Sequence, residues 1–142
     1  MRQLRITLIT IGAFQLVLGL AFLAAPATTA HLLGLHPAAP AWATWLFAMM
    51  AARFLGYAAG MFAAARDPWR HRTWIDTMIA IQAVDWAATL GYLLAAELTL
   101  RQVGTAAFMP VIFIAALLRW RPRRGTAARP GPASEPVRAG RP

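Results

Sequence analysis

Two ionisable side chains lie deep inside segments of the sequence that are otherwise long and apolar. Arg53 is 13 residues before Arg66, and Asp85 is 13 residues after Arg72. At a rise of 1.5 Å per residue, each charge lies about 20 Å along its helix from a charged end. Ionisable residues inside hydrocarbon are costly and are usually paired or face a cavity. We therefore predict an Arg53–Asp85 ion pair near the middle of a membrane.

Further polar side chains fall at depths from which they can join this pair. Gln15 lies ten residues after Arg5, about 15 Å along its helix. Other polar residues recur on the face of the helix that carries Asp85, at spacings of three and four. The predicted intramembrane polar cluster consists of Arg53, Asp85, Gln15, Gln82 and Thr89, with Tyr92 continuing the stripe.

Such a cluster supports two interpretations. As a structural clamp it would fix the register of a helical hairpin, and removing one partner of a buried pair typically costs about 3–5 kcal/mol. Alternatively it is an ion or proton relay, or a polar pocket for the head group of a ligand. A relay needs titratable groups that reach both surfaces. In the cytoplasmic half of such a relay, Asp76 could carry a proton, although a carboxylate at this position also stabilises a helix N-terminus and can pair with Arg72. In the outer half of the relay, only Thr89 and Tyr92 are available.

Composition indicates the elements that must carry these residues. The chain has 142 residues, of which 59% are hydrophobic and 13% charged, against about 45–50% and about 25% in soluble domains. It has no cysteine, which excludes disulfide frameworks and cysteine-ligated metals. Because a membrane helix needs roughly 20 mostly apolar residues, we predict an all-α, up-down four-helix transmembrane bundle over residues 1–120. Its spans cover about 6–25, 42–65, 73–96 and 103–120.

The arginines predict how this bundle is oriented. All of them except Arg53 and Arg101 lie before the first span, in the loop between the second and third spans, or at and beyond the end of the fourth span. The positive-inside bias then places both termini in the cytoplasm. The first span also has features of a secretory signal, since Arg2 and Arg5 precede it and small residues follow it. Its apolar stretch is longer than the roughly 7–15 residues of a signal core, which favours a transmembrane helix.

Residues 121–142 form a basic tail rich in proline and arginine. Arginines beside a bilayer each contribute about 1 kcal/mol toward anionic lipid. Because the membrane already accounts for this charge, nucleic acid is not an expected partner. The predicted contacts with anionic lipid or with a partner protein are Arg119, Arg121, Arg123 and Arg124.

One face of the second span predicts how the helices pack. Small residues let membrane helices approach closely, and here they recur at every fourth position, while Gly12 and Gly19 offer a counterpart in the first span. We expect this ridge to pack within the bundle, or in part against another protein. Pro110 should kink the fourth span near Ala106. The ridge consists of Thr44, Ala48, Ala52, Gly56, Gly60 and Ala64.

The histidines do not suggest a metal site. None of His31, His36 and His71 lies in a predicted span, and His31 and His36 would point about 140° apart on a helix. We therefore predict no metal and no bound cofactor. The stretch Thr29–Leu35 is expected to form a short surface helix with its leucines in lipid.

Four short stretches follow one another with a distinctive mixture of glycine, alanine and charge: LGLAFLAAP (Leu18–Pro26), LLGL (Leu32–Leu35), ARFLGYAAG (Ala52–Gly60) and AARDPWRHR (Ala64–Arg72). The second span thus carries R-x-x-G and a small-residue repeat before a charged Asp-Pro turn. Over about residues 4–96 the chain resembles small four-helix bacterial membrane proteins of the DoxX-like and BphX-like kind. The resemblance implies a four-helix fold in a bacterial inner membrane; Asp85 and the basic tail depart from it.

Two functional hypotheses of different classes follow. The first is a non-catalytic accessory or structural subunit that packs against a larger membrane complex of respiratory or photosynthetic type, or against its own copies, surrounded by membrane lipids. The second is a small transporter or proton-coupled carrier that uses Arg53 and Asp85. A membrane oxidoreductase is a third alternative, for which the sequence offers no dedicated ligand set.

Overall fold

The computed structural model describes residues 2–35 and 40–121, and its regular structure within them is entirely helical. Four of its helices are long and apolar enough to cross a membrane, and only the second is not. The all-α prediction is confirmed, and the chain is a multi-pass membrane protein. The helices are α1 (Arg2–Ala24), α2 (Pro26–Leu32), α3 (Ala43–Arg66), α4 (Arg72–Leu94) and α5 (Leu100–Trp120).

The four long helices form two antiparallel pairs. α1 lies along α3 in the most extensive contact of the bundle, with Gly12 against Phe62 and Gly19 against Leu55. These glycines let the two backbones approach closely, as the sequence indicated. α4 lies along α5, and the contacts between the two pairs are far fewer. The bundle is therefore tight within each pair and loose between them.

The main hydrophobic core lies at the end of the bundle where α1 begins. It buries side chains from all four long helices, and an edge-to-face contact between Phe14 and Phe113, with ring centroids 5.5 Å apart, borders it. Beyond that aromatic contact, buried side chains no longer fill the space between the α1–α3 pair and the α4–α5 pair. The buried members are Leu4, Leu8, Ile11, Met61, Ala64, Ala65, Ile75, Met78, Phe113 and Leu117.

The ridge of small residues on α3 does not form one packing face. Side chains four residues apart rotate by about 40° on a helix of 3.6 residues per turn, so six positions sweep about 200°. Ala64 is buried and Gly60 lies against Trp74 of α4, whereas Ala52 and Gly56 are exposed. At the other end Thr44 is exposed and Ala48 half-buried. The expectation that the whole ridge packs within the bundle is wrong for its middle.

The irregular turn of α5 lies closer to its start than we predicted. The backbone is non-helical at Val103 (φ −122°, ψ 20°), about one turn before Ala106. Thr99 and Gln102 form a capping box, and the Thr99 carbonyl accepts from both the Gln102 and Val103 amides at 2.9 and 3.3 Å. This tight first turn explains the distortion. It also explains why α5 begins three residues earlier than predicted.

A neighbouring helix makes a hydrogen bond close to Pro110. The proline has no amide hydrogen, so the carbonyl of Ala106 loses its helical donor. Trp86 Nε1 of α4 donates to the next carbonyl, that of Ala107, at 3.1 Å. This bond braces α5 beside the proline but does not reach the freed carbonyl of Ala106. Trp86 therefore joins α4 to α5.

The short surface helix is present as α2, but its leucines do not all face lipid. Leu32 is exposed, whereas Leu33 and Leu35 are half-buried. Gly34 between them has φ +97°, and a side chain there would collide with the Arg101 carbonyl. The left-handed conformation that glycine permits turns the chain back over the bundle at the start of α5.

Two glycines one turn apart on α3 allow a matched test of this packing. In Gly60→Ala the new methyl group would overlap the indole ring of Trp74, so we expect a loss of about 1–3 kcal/mol through overpacking. In Gly56→Ala nothing lies within 4 Å of the new group, and the better helix propensity of alanine should leave stability equal or up to about 1 kcal/mol higher. Thermal unfolding in detergent micelles measures both. Equal melting temperatures for the two variants would contradict the α3–α4 packing described here.

Candidate functional site

A cavity of about 380 Å³ lies between the two helix pairs. All four long helices line it, and the turn after α2 adds Leu33 and Leu35. Its walls are mostly apolar, and its volume falls in the range of about 300–1,000 Å³ that small-molecule sites occupy. The larger apolar side chains of the wall are Phe14, Phe22, Met50, Phe54, Met109 and Phe113.

Arg53 and Asp85 meet across this cavity from α3 and α4. The distance from Arg53 Nη2 to Asp85 Oδ1 is 3.9 Å, and the side chains are 58% and 52% exposed. The predicted partners are thus brought together, but not as a closed, fully buried clamp. Both side chains instead line the cavity, which lies beside the pair. An ion pair at this distance and exposure contributes little by itself.

The hydrogen bonds of the guanidinium go to a residue that the sequence analysis did not select. Arg53 Nε and Nη2 donate to Tyr57 Oη at 3.2 and 3.1 Å, and Tyr57 also lines the cavity. The signal was available, because Tyr57 follows Arg53 by four residues and so lies one turn along the same helix face. With its oxygen accepting from Arg53, the phenol retains a proton that it can donate.

Gln15 is the most deeply buried member of the predicted cluster. Its side chain lines the cavity, the residue is 2% exposed, and its Oε1 has no hydrogen-bond partner among the residues that the structure describes. Leaving a buried acceptor unpaired costs about 1–3 kcal/mol. The oxygen has less than 1 Å² of accessible surface, so it lies behind the cavity wall rather than facing the open space.

Gln82 and Thr89 also line the cavity, so all five predicted cluster residues meet there. Thr89 does not bind the ion pair, because its hydroxyl donates to the backbone carbonyl of Asp85 at 2.8 Å. Tyr92, the last residue of the stripe, is 53% exposed and is absent from the cavity lining. The structure thus brings the cluster together around a space rather than around a network of direct bonds.

The charged end of the bundle contains the predicted partner of Asp76 and a second one. Arg72 Nε lies 3.6 Å from Asp76 Oδ2, and Arg121 Nη1 lies 3.6 Å from Asp76 Oδ1. Arg121 pairs with Asp76 because the end of α5 reaches the start of α4, and its predicted contact with lipid or a partner stays a prediction. Arg119 lies over the ring of Trp120, 4.4 Å from its centroid. Arg123 and Arg124 lie outside the described residues.

The two histidines within the described residues, His31 and His71, do not line the cavity. His31 lies on α2, and His71 precedes α4 with its Nδ1 3.0 Å from the Asp67 carbonyl oxygen. His36 lies outside the described residues. Within residues 2–35 and 40–121, no three histidine or acidic side chains are grouped as a metal site requires.

Comparison with protein-family models, with curated proteins and with solved structures found no match for this chain. The resemblance to DoxX-like and BphX-like proteins therefore stays a prediction from sequence. Any functional conclusion must come from the geometry of the cavity and of the bundle surface.

A double-mutant cycle tests how strongly Arg53 and Asp85 are coupled. Arg53→Leu leaves the carboxylate of Asp85 without its nearest cation, and we expect a loss of at most about 1 kcal/mol, because the two groups are 3.9 Å apart and both side chains are more than half exposed. Asp85→Leu leaves Arg53 bonded to Tyr57 and should cost less. The double variant should be more stable than the sum of the single changes predicts, as thermal unfolding in micelles would show. Strict additivity would mean that the two charges do not interact.

Proposed function

We propose that this protein is a non-catalytic membrane protein that binds a small molecule in its interhelical cavity. The observation that carries the proposal is the cavity of about 380 Å³ itself, whose mostly apolar wall includes the charged side chains of Arg53 and Asp85. Few polar groups set in a mostly apolar wall are typical of small-molecule sites. A carrier would use the same cavity, with Arg53 and Asp85 as its charged groups.

The arrangement of the wall supports binding over a purely structural cluster. A clamp would place the charged groups in direct, closed contact, whereas Arg53 and Asp85 stand 3.9 Å apart beside open space. Likewise, a well-packed bundle would direct the Gln15 amide to a neighbouring side chain. The polar residues instead surround a volume that a bound molecule can fill.

Filling the cavity tests this proposal with two neighbouring alanines of α4. Ala88 lines the cavity, whereas the exposed Ala87 is absent from its wall. We expect the wild type and Ala87→Phe to retain a small molecule through purification, and Ala88→Phe to lose it because the ring occupies its space. Solvent extraction of the purified proteins, followed by mass spectrometry, gives the amounts. Identical extracts from all three proteins would contradict binding in this cavity.

The outer face of α3 favours a second candidate function, that of an accessory subunit in a larger membrane complex or a homo-oligomer. Ala52 and Gly56 are exposed on that face, and there is open space above Gly56. Small residues are suited to close contact between membrane helices. The part of the ridge left free by this bundle could therefore receive a helix from a partner. Binding a molecule and packing against a partner are compatible roles.

A bulky substitution on this face separates association from folding. We expect Gly56→Leu to leave the melting temperature of the isolated protein within about 0.5 kcal/mol of the wild type, as is usual for surface changes. It should nevertheless reduce recovery of any complex after gentle solubilisation, because the added side chain blocks close approach. Ala83→Leu, on the exposed surface of α4, is the control. Equal sedimentation profiles for all three proteins would contradict the accessory role.

The distribution of charge supports an orientation with both termini in the cytoplasm of a bacterium. Arg5 Nη2 donates to the Arg66 carbonyl at 3.4 Å, and Arg121 lies beside Asp76, so the basic ends of all four long helices lie together. Arg101 is at the start of α5, at the opposite end. The positive-inside bias favours the arginine-rich end as the cytoplasmic one.

A further inference from the structure

We infer that a second copy of the chain docks on the outer surface between α3 and α4, where Arg53 of each copy pairs with Asp85 of the other across a two-fold axis. This inference rests on the second proposed function, association within the membrane, and names the partner and the charges that hold it. It is drawn from the place of the ion pair on the bundle surface, from its incomplete hydrogen bonding and from the common depth of its two members.

The ion pair borders the outer surface of the bundle as well as the cavity. A shallow groove of about 270 Å³ lies between α3 and α4, and Arg53 and Asp85 both line it. Beside them on α4, Thr77 and Ala80 are exposed and Val84 is 68% exposed, and all three line the groove. The groove therefore opens on the surface that lipid would cover, and both charged side chains can be reached from outside the bundle.

The bundle by itself leaves these two charged groups incompletely bonded. Asp85 Oδ1 lies 3.9 Å from Arg53 Nη2, which is longer than a hydrogen bond. Arg53 uses Nε and Nη2 to bond Tyr57, whereas a guanidinium carries five donors. Hydrocarbon supplies neither donors nor acceptors, and a charge exposed to it is costly. A partner that covers this surface must therefore bring polar groups of its own.

A second copy brings the required charges at the required depth. The positive-inside bias gives every copy the same orientation, so a two-fold axis that relates two copies runs along the membrane normal and each residue meets residues of its own depth. Arg53 and Asp85 share one depth, because they meet across the antiparallel helices α3 and α4. A half-turn about that axis then places the guanidinium of each copy against the carboxylate of the other. The exposed pair is thus complementary to itself.

The surroundings of the pair allow this approach. Gly56 lies one turn from Arg53 on α3, and a side chain there would meet nothing within 4 Å. On α4 the exposed Ala80 is also small, and small residues let membrane helices come close together. Ion pairs removed from solvent are favourable only where hydrogen bonds complete them. The remaining donors of Arg53 and the oxygens of Asp85 can form such bonds between the copies.

Exchanging the two charges tests the inference without removing the pair from either chain. The exchanged protein carries Arg53→Asp together with Asp85→Arg. Because the full chain has no cysteine, one cysteine added at its C-terminus carries a fluorescent donor or acceptor. Energy transfer is then measured in vesicles of phosphatidylethanolamine and phosphatidylglycerol for wild type with wild type, exchanged with exchanged, and wild type with exchanged.

We expect each protein to associate with itself and the mixed combination to fail. In the mixed dimer arginine faces arginine and aspartate faces aspartate, and such like-charge contacts should weaken association at least about tenfold. An ion pair that acts only within one chain predicts equal transfer in all three combinations. Thermal unfolding in micelles shows whether the exchanged protein retains its fold.

Cysteine cross-linking tests the same surface without altering either charge. Single cysteines replace Thr77, Ala80 or Val84 along the groove, and Val17→Cys on α1 is the control, since Val17 is 65% exposed and Val84 68%. Copper phenanthroline oxidises two neighbouring thiols to a disulfide, which requires Cα atoms within about 7 Å. We expect at least one groove variant to cross-link between copies in the vesicles much faster than the control.

The outcomes separate this inference from the function on which it rests. If the mixed combination associates as strongly as wild type with itself, or if no groove cysteine cross-links faster than Val17→Cys, docking through Arg53 and Asp85 is wrong. It is equally wrong if wild-type copies do not associate. The accessory role is then decided separately by the comparison of Gly56→Leu with its control. If the exchanged protein does not fold, the cysteine result alone decides.

Discussion

A hydrogen-bonding group inside a bilayer must find its partner within the protein or in something bound to it, because hydrocarbon offers none. Most polar groups of this bundle meet that requirement locally. Thr89 bonds its own helix, Trp86 bonds a carbonyl beside Pro110, and Arg53 bonds Tyr57. Gln15 Oε1 and Trp74 Nε1 are exceptions, since neither buried atom has a hydrogen-bond partner among the described residues. The bundle therefore leaves polar groups unsatisfied both beside the cavity and against its main core.

The cavity exists because the bundle is assembled from two tight pairs rather than four equivalent helices. Gly12 and Gly19 draw α1 against α3, while the Trp86–Ala107 bond joins α4 to α5. Between the pairs, the core fills only the end near the basic residues. Because lipid provides no hydrophobic force to press the pairs together, the space between them stays open wherever large side chains do not fill it. Packing within pairs and the cavity between them thus have a common cause.

The four spans could be predicted from sequence because length and apolar character alone decide them. The meeting of Arg53 and Asp85 could also be predicted, since each residue lies 13 residues from the turn that joins their two helices. The cavity could not be predicted. Whether polar residues touch or surround a space depends on how far the helices separate, which no local pattern records. The ridge of α3 shows a related limit. A spacing of four residues exceeds a helical turn of 3.6 residues, so each step rotates the face a little further around the helix, and at Gly56 it points out of the bundle. Tyr57 was missed although its spacing from Arg53 pointed to it.

The looseness of the Arg53–Asp85 pair has a functional meaning that a tight clamp would lack. A closed, fully desolvated ion pair is costly to separate because each charge is then left buried without a partner. Here the guanidinium keeps two hydrogen bonds to Tyr57 whatever the carboxylate does. The 3.9 Å separation can therefore widen or close without leaving Arg53 unbonded. The same two residues border both the cavity and a shallower groove along α4, so this loose pair lies where the two spaces adjoin.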